Sequence, residues 1–265
     1  MLGAIIGDIV GSRFEWHNIK TKEFDFFTED CFFTDDTVMT LAICEALLKS
    51  TDDYADLGEQ AVKWMQVYGR FFGSAGYGSA FMKWLITNKP KPYNSYGNGA
   101  AMRVSGCAYA AHSLEEAKVL AKCVTEVTHN HPEGLKGAEA TTVATYLALQ
   151  GRSKEEIYQY VTQHYYTLDF TLNDIREEYS FDVSCQGSVP QALQAFFEAN
   201  DFEDAIRNAI SLGGDSDTIG AITGAIAGAY YGIPVSISES ALSFLDKRLV
   251  DVLSRFEEKY SNSKS

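Results

Sequence analysis

Apolar residues recur every three or four positions along most of this chain, a spacing typical of helices with one buried face. Alternating polar and apolar runs, which would predict strands, are short and rare. The pattern therefore predicts an all-α fold, a compact single-domain helical bundle. Besides a helix at the start of the chain, we expect helices at 37–48, 58–68, 114–127, 134–149, 154–163, 189–198, 201–211, 218–231 and 238–256.

Glycine and proline mark the main connections between these helices. They predict loops at 72–79, 88–99 and 171–188. No low-complexity linker divides the chain into two halves. We therefore expect one domain over residues 1–260, followed by a polar tail at 261–265.

Two of the predicted helices, the first and the one at 218–231, contain glycine at every fourth position. The glycines concerned are Gly3, Gly7 and Gly11 in the first helix, and Gly220, Gly224, Gly228 and Gly232 in the second. Residues four apart lie on one face of a helix, so each series forms a stripe without side chains. Since an interior glycine costs about 0.5–1 kcal/mol relative to alanine, the stripes predict close packing of two central helices.

Composition and charge narrow the possible functions. The 265 residues are 46% hydrophobic and 22% charged, which favours a folded core over disorder. The net charge of −14 disfavours general nucleic-acid binding, because an acidic surface repels phosphate backbones. An anionic small substrate stays possible if a bound metal reverses the local field. We expect a monomer.

The cysteines and the apolar segments bear on the compartment. Five cysteines are scattered without a CxxC pair, which favours free thiols in the cytoplasm over a zinc site or a disulfide framework. The first eight residues include no basic residue, so we do not expect a secretory signal. Residues 219–235 are uncharged but short, glycine-rich and closed by Pro234. A buried helix is expected there rather than a membrane span.

Two short acidic clusters each precede a long apolar helix. Their residues are Thr34, Asp35, Asp36 and Thr37 in the first and Asp215, Ser216, Asp217 and Thr218 in the second. Taken singly, each cluster could simply cap its helix. If both helix starts converged, four carboxylates would repel one another unless a cation lay between them. An all-oxygen set suits Mg²⁺, Mn²⁺ or Ca²⁺ better than zinc.

Further candidate residues lie in three other segments. Glu15 follows the first helix in a loop, where a glutamate is usually just solvated. The turn at 95–103 leads into a helix and could present backbone N–H groups to phosphate. His129 and His131 flank Asn130 before a proline. We expect a hydrogen-bonded turn there rather than metal ligation, with binding of substrate hydroxyls left open.

In their order along the chain, six segments resemble those of the ADP-ribosylglycohydrolase family, which includes the dinitrogenase reductase-activating glycohydrolase and the vertebrate ADP-ribosylhydrolases. The segments are GAIIGDIVGSRFE, FTDDTVMTLA, SYGNGAAMRV, THNHPEGLKGAEA, FDVSCQGSVPQAL and GGDSDTIGAITGAIAGAYYGIP, and they reach position 234. The resemblance implies a compact all-α fold with a dinuclear Mg²⁺ (or Mn²⁺) centre in a cleft.

The same resemblance implies roles for individual residues. The implied metal ligands are Thr34, Asp35 and Asp36 in one half and Asp215, Asp217 and Thr218 in the other. Glu15 corresponds to a loop glutamate that assists catalysis, with Asp35 and Asp36 as further candidates for proton transfer. The implied substrate-binding residues are Gly97, Asn98, Gly99, Met102 and His129, and the segment 179–188 is a candidate for contact with adenosine.

The implied activity is metal-dependent hydrolysis of the glycosidic bond between ADP-ribose and a modified protein, nucleic acid or small conjugate. Arginine, serine, a nucleobase and O-acetyl-ADP-ribose are all possible sources of the leaving group, and no motif selects among them. Two alternatives stay open. The protein could bind ADP-ribose without turnover, or its metal centre could serve another hydrolysis, such as that of a phosphate ester.

Overall fold

The predicted helical pattern is present throughout the part of the chain that the computed structural model describes, residues 1–260. The helices are α1 (Leu2–Gly11), α2 (Asp35–Lys49), α3 (Leu57–Phe71), α4 (Ser79–Ile86), α5 (Gly99–Met102), α6 (Ser105–Ala110), α7 (Leu114–Thr125), α8 (Pro132–Leu149), α9 (Lys154–His164), α10 (Leu172–Ile175), α11 (Cys185–Phe197), α12 (Phe202–Ile210), α13 (Ser216–Tyr231), α14 (Val235–Leu242) and α15 (Lys247–Tyr260). A 3₁₀ turn, Ser12–Phe14, follows α1. These residues form no strand, only an isolated bridge between Gly97 and Ser184.

One hydrophobic core runs through these helices, which confirms the predicted all-α, single-domain architecture. Helix α1 is buried from Gly3 to Gly11, and α13 is buried from Ser216 to Ala227, so both are central as expected. None of the helices within residues 1–260 is long and apolar enough to cross a membrane. The predicted polar tail at 261–265 lies outside the described residues.

The glycine stripes bring α1 and α13 into backbone contact. A Cβ added to Gly7 would lie 1.9 Å from the carbonyl oxygen of Gly220, and one added to Gly3 would lie 2.1 Å from that of Gly224. Such distances are far below van der Waals contact, so no other residue fits without moving a helix. Gly232 does not belong to the stripe. It follows α13 with a φ of 73°, a conformation that favours glycine.

One predicted helix is wrong in extent, because 238–256 divides into α14 and α15. The division has a local cause: the Asp246 side chain accepts a hydrogen bond from the backbone N–H of Arg248 at 2.8 Å and so starts a new helix. The segment 171–188, predicted as loop, contains α10 and the first turn of α11. Helices α4 and α6 were not predicted, because each spans only eight residues or fewer and shows too little apolar periodicity.

Candidate active site

The two acidic clusters converge at the starts of α2 and α13. The hydroxyl of Thr218 donates to Oδ2 of Asp36 at 3.2 Å, which joins the clusters directly. The capping alternative holds for Thr34, whose hydroxyl accepts the backbone N–H of Asp36 at 3.2 Å. It does not hold for Asp215, which occupies the cap position of α13 without making the side-chain cap bond. The second cluster therefore has a carboxylate that helix capping does not explain.

Asp8, which was not among the predicted site residues, holds the first acidic cluster in place through hydrogen bonds from Thr34 and Thr37. This carboxylate is fully buried in α1 and accepts bonds from the backbone N–H groups of Thr34 (2.9 Å) and Thr37 (3.0 Å). The hydroxyl groups of both threonines also donate to it. Asp8 thus ties α1 to the first turn of α2. Its only signal in the sequence is an acid within an apolar helix.

Three carboxylates come especially close together. One oxygen each of Glu15, Asp215 and Asp217 lies within 4.8 Å of the other two, a grouping that could hold a metal ion. Two buried oxygens nearby, Oδ1 of Asp36 and Oδ1 of Asp217, have no hydrogen-bond partner among the described residues. No ion pair within residues 1–260 involves these carboxylates. Buried acceptors left open in this way fit a hard, oxygen-binding cation.

The pKa values of these acids reflect the crowding. Burial raises the pKa of Asp35 to about 8, and the negative charges of Asp8 and Asp215 add to the effect. Burial also raises the pKa of Glu15 to about 7, again with a contribution from Asp215. The pKa values of Asp36 and Asp217 lie well above the usual range, first because of burial and then because of neighbouring carboxylates. Positive charge in the cluster would reverse these shifts.

A cleft of about 440 Å³ opens over the cluster. This volume is within the usual range for small-molecule sites. Of the residues expected at the site, Thr34 does not line it. Those that do are Glu15, Asp35, Asp36, Gly97, Asn98, Gly99, Met102, His129, Asp215, Asp217 and Thr218. Gly76, Phe81 and Tyr93 also line the cleft and were not expected at the site.

The turn before α5 is tied to both the acidic cluster and the segment at 181–184. The Asn98 side chain donates to Oδ2 of Asp215 at 2.7 Å and to the hydroxyl of Ser188 at 3.0 Å. Its backbone N–H donates to the carbonyl of Val183 at 2.7 Å. The N–H groups of Gly97, Ala100, Ala101 and Met102 also donate to protein oxygens, so few amides of this turn are left for phosphate. Contact between this turn and substrate stays a prediction.

The two histidines have different surroundings. His131 caps α8, accepting the backbone N–H of Glu133 on its Nδ1 at 3.1 Å, as expected of a hydrogen-bonded turn. His129 is buried in the cleft wall, beside Thr128 and the guanidinium of Arg103. Arg103 directly follows Met102 in the predicted turn, but its contact with His129 is apparent only in the folded structure.

Two aromatic residues stand at the mouth of the cleft. Trp16, which follows Glu15, stacks on Phe181 with ring centroids 5.1 Å apart and planes inclined by 25°. Both line the cleft, and Trp16 is 72% exposed. The pair joins the Glu15 segment to the segment at 179–188, for which contact with adenosine was expected.

Comparison with known proteins decides the family. A family model described as ADP-ribosylglycohydrolase matches residues 1–263. The chain belongs to the ADP-ribosylglycohydrolase family. ADP-ribosylhydrolase ARH3 of Homo sapiens is 29% identical over an alignment of 308 positions, which covers 88% of this chain and 84% of the relative. The ADP-ribosyl-[dinitrogen reductase] glycohydrolase of Rhodospirillum rubrum is 32% identical over 228 residues, covering 82% and 74%.

A solved structure supports the same assignment. A chain of an "ADP-ribosylglycohydrolase-related protein complex" superposes with a TM-score of 0.63 at 27% identity, and 96% of each chain is covered. The resemblance found in the sequence is thus confirmed. So is the enzyme class: an ADP-ribosylglycohydrolase, a hydrolase of glycosidic bonds to ADP-ribose.

Proposed function

We propose that this ADP-ribosylglycohydrolase uses Mg²⁺ to cleave the glycosidic bond between ADP-ribose and a modified protein, nucleic acid or small conjugate. The observation that carries the proposal is the convergence of two acidic helix starts over a cleft. At this point two buried carboxylate oxygens, one each from Asp36 and Asp217, have no partner within the described residues. A protein that only bound ADP-ribose would have no need of so many mutually repelling acids.

Two ions would be held by side chains from both helix starts, as the family resemblance implies. These side chains are Thr34, Asp35, Asp36, Asp215, Asp217 and Thr218. The donors are all carboxylate or hydroxyl oxygens, which favours Mg²⁺ and allows Mn²⁺. A divalent cation at such a site supplies positive charge that activates water and stabilises the transition state. The hydroxyl of Thr34 already donates to Asp8 and accepts from the backbone N–H of Asp36, so it is less available as a metal ligand than the other side chains.

The chain's own carboxyl groups would handle protons. Without a metal ion, burial and the charge of Asp215 raise the pKa of Glu15 to about 7. A cation in the cluster would lower this pKa and favour the carboxylate, the form that accepts a proton from water. It lines the cleft beside Asp215 and Asp217, where the reacting sugar carbon would lie. We propose Glu15 as the group that transfers protons during hydrolysis, with Asp35 and Asp36 as the alternatives wherever a metal does not occupy them.

The remaining residues of the cleft would orient the substrate. Asn98 holds Asp215 in place by its 2.7 Å bond, so its influence on substrate passes through the acidic cluster. Gly97 and Gly99 line the cleft next to His129, and the absence of side chains there would let a ribose or diphosphate oxygen approach the ring. Met102 lines the same wall.

We also propose a cellular location and an oligomeric state for the protein. All five cysteines are free thiols, which fits a reducing compartment, and we propose a cytoplasmic location. The net charge of −14 supports action on conjugates without general affinity for nucleic acid. We propose a monomer, because the strongly acidic surface favours separate chains.

The test is a conjugate panel with free ADP-ribose followed by mass spectrometry. Arginine-, serine- and nucleobase-linked ADP-ribose and O-acetyl-ADP-ribose are each incubated with Mg²⁺ or with EDTA. We compare the natural chain with Asp217→Asn and with Asp169→Asn, a control at an exposed acid outside the cleft. We expect Mg²⁺-dependent release from at least one conjugate, unchanged in Asp169→Asn and lost in Asp217→Asn.

Other outcomes would redirect the proposal. Tight ADP-ribose binding without release from any conjugate would make the protein a binder and refute hydrolysis. Release of inorganic phosphate instead of ADP-ribose would identify a phosphoesterase. If Asp217→Asn were as active as the natural chain, the second acidic cluster would not take part in the reaction.

A further inference from the structure

The two ring nitrogens of His129 face different surroundings. Nδ1 lies 2.7 Å from the hydroxyl oxygen of Thr128 and 3.4 Å from Nη2 of Arg103. Nε2 points toward the turn before α5: a Cβ added to Gly97 would lie 3.5 Å from it, and one added to Gly99 would lie 3.6 Å from it. One nitrogen is therefore held by the protein and the other is presented to the cleft.

The partners of Nδ1 determine where the proton lies. A guanidinium can only donate hydrogen bonds, so a nitrogen that pairs with Arg103 must accept. The hydroxyl of Thr128 accepts from the same Nη2 at 2.6 Å. Two acceptors lie within reach of its own proton, and Nδ1 at 2.7 Å is nearer than the carbonyl oxygen of Thr125 at 3.3 Å, so we assign that proton to Nδ1. An accepting Nδ1 places the single proton of a neutral imidazole on Nε2.

We propose that Arg103 and Thr128 are positioning residues that hold His129 as the neutral Nε2–H tautomer, which donates a hydrogen bond to an acceptor oxygen of the ligand beside Gly97 and Gly99. The ligand assignment rests on the proposed function, in which this oxygen belongs to ADP-ribose. The tautomer itself rests only on the contacts of His129. Since Arg103 and Thr128 act through His129, neither needs to touch the substrate.

The surroundings of Arg103 support this role. Its side chain is only 1% exposed and forms no ion pair with the described residues. Nε has no hydrogen-bond partner there, and the guanidinium lies 5.8 Å from the ring centre of Phe81. A buried charge with so little compensation is costly, so its presence calls for a function. Burial, together with the charge of Arg103, lowers the pKa of His129 well below its usual value and keeps the ring neutral.

The first test observes the tautomer without substrate or metal. The full chain is labelled with ¹⁵N-histidine, and the His129 ring signals are assigned by comparison with His129→Gln. Near neutral pH we expect a protonated Nε2 and an unprotonated Nδ1. Thr128→Val, which removes one donor at almost constant volume, should introduce a second tautomer. Thr141→Val is the control, because its buried hydroxyl bonds only the backbone of α8.

The second test uses side chains that mimic one ring nitrogen each. The amide nitrogen of glutamine can replace Nε2, whereas that of asparagine lies nearer the position of Nδ1. By calorimetry with ADP-ribose, His129→Gln should bind within about threefold of the natural chain and His129→Asn about tenfold more weakly, the usual effect of losing one hydrogen bond. Thr128→Val should raise KM about five- to tenfold with a smaller change in kcat.

The outcomes separate this inference from the proposed function. A proton on Nδ1 of His129 in the natural chain would overturn the tautomer assignment, whatever the activity. Equal affinity of His129→Gln and His129→Asn would overturn the donor role. The expected tautomer in a chain that hydrolyses no conjugate would leave the assignment standing and refute only the proposed reaction.

Discussion

Replacing Gly7 with alanine probes the packing that places the acidic clusters. The added Cβ would lie 1.9 Å from the carbonyl oxygen of Gly220 and 2.2 Å from its carbonyl carbon. Real Cβ contacts are essentially never shorter than 3.0 Å. Both obstructing atoms are backbone, so no side-chain rotation relieves the clash. Helix α1 must therefore move away from α13 by about 1 Å or more.

The energetic cost follows from two opposing effects. Overpacking of a core costs about 1–3 kcal/mol, and this site is at the upper end because the clash involves backbone on both sides. Alanine regains about 1 kcal/mol relative to glycine through its higher helix propensity. We therefore expect Gly7→Ala to lower the free energy of unfolding by about 2 kcal/mol. Because α1 carries Asp8, which ties down the first turn of α2, the displacement should also weaken Mg²⁺ binding.

Urea denaturation followed by circular dichroism measures the first effect, and calorimetry with Mg²⁺ measures the second. Gly58→Ala in α3 is the matched control, since its Cβ would meet nothing nearer than 3.8 Å. That variant should be as stable as the natural chain or gain up to about 1 kcal/mol. If Gly7→Ala were as stable as Gly58→Ala, the close approach of α1 and α13 would not be what the glycine stripes provide.

Three further predictions concern the acidic cluster. Asp217→Asn should raise the melting temperature of the EDTA-treated protein, because it removes an acid whose ionised form is disfavoured by burial and by neighbouring carboxylates. It should also abolish stabilisation by Mg²⁺, and an unchanged Mg²⁺ effect would contradict this. Because folding raises the pKa values of Glu15 (about 7) and Asp35 (about 8), the folded chain binds more protons than the unfolded one. Urea titrations in EDTA should show stability falling as the pH rises from about 4.5 to 8, between the unfolded and the folded pKa values of these acids. Saturating Mg²⁺ should suppress that trend, and a flat profile over this range would refute it. Asn98→Asp should destabilise the metal-free protein by about 1–3 kcal/mol, since it replaces the donor to Asp215 with a charge, and equal stability in urea would argue against that contact.

The helices with strong periodicity could be predicted from the sequence, and so could the two central ones. Gly3 and Gly7, four residues apart, sufficed to predict close approach, because the cost of interior glycine needs compensation. The division of 238–256 escaped prediction since its cause, the bond from Arg248 to Asp246, interrupts no apolar period. Local pattern therefore identifies a helix more reliably than it identifies the point where one helix ends and another begins.

The site could be predicted only in part, because spacing along a chain does not show what converges in space. The acidic clusters were visible, and family resemblance related them, but nothing local predicted the bond between Thr218 and Asp36. Arg103 was missed for a similar reason. Its contacts with Thr128 and His129 join residues 25 and 26 positions apart, and a single basic residue after a turn carries no signal of that pairing.

Helix α1 explains the convergence on physical grounds. Its glycines fix it to α13, and Gly11 lies so near the start of α13 that an added Cβ would be 2.5 Å from Cα of Asp217. Its one acid, Asp8, fixes it to α2 through Thr34 and Thr37. The two acidic helix starts therefore share one rigid partner.

The carboxylates at this junction divide into two kinds. Both oxygens of Asp8 accept hydrogen bonds from the first turn of α2, so this acid is paired and acts in structure. Asp36 and Asp217 each keep an oxygen without a partner among the described residues, which leaves them for a cation. Asp8→Ala should then preserve both acidic clusters in sequence and separate them in space, because it removes the carboxylate that joins α1 to the first turn of α2. Calorimetry should accordingly show weaker Mg²⁺ binding, and unchanged binding would contradict this role of Asp8.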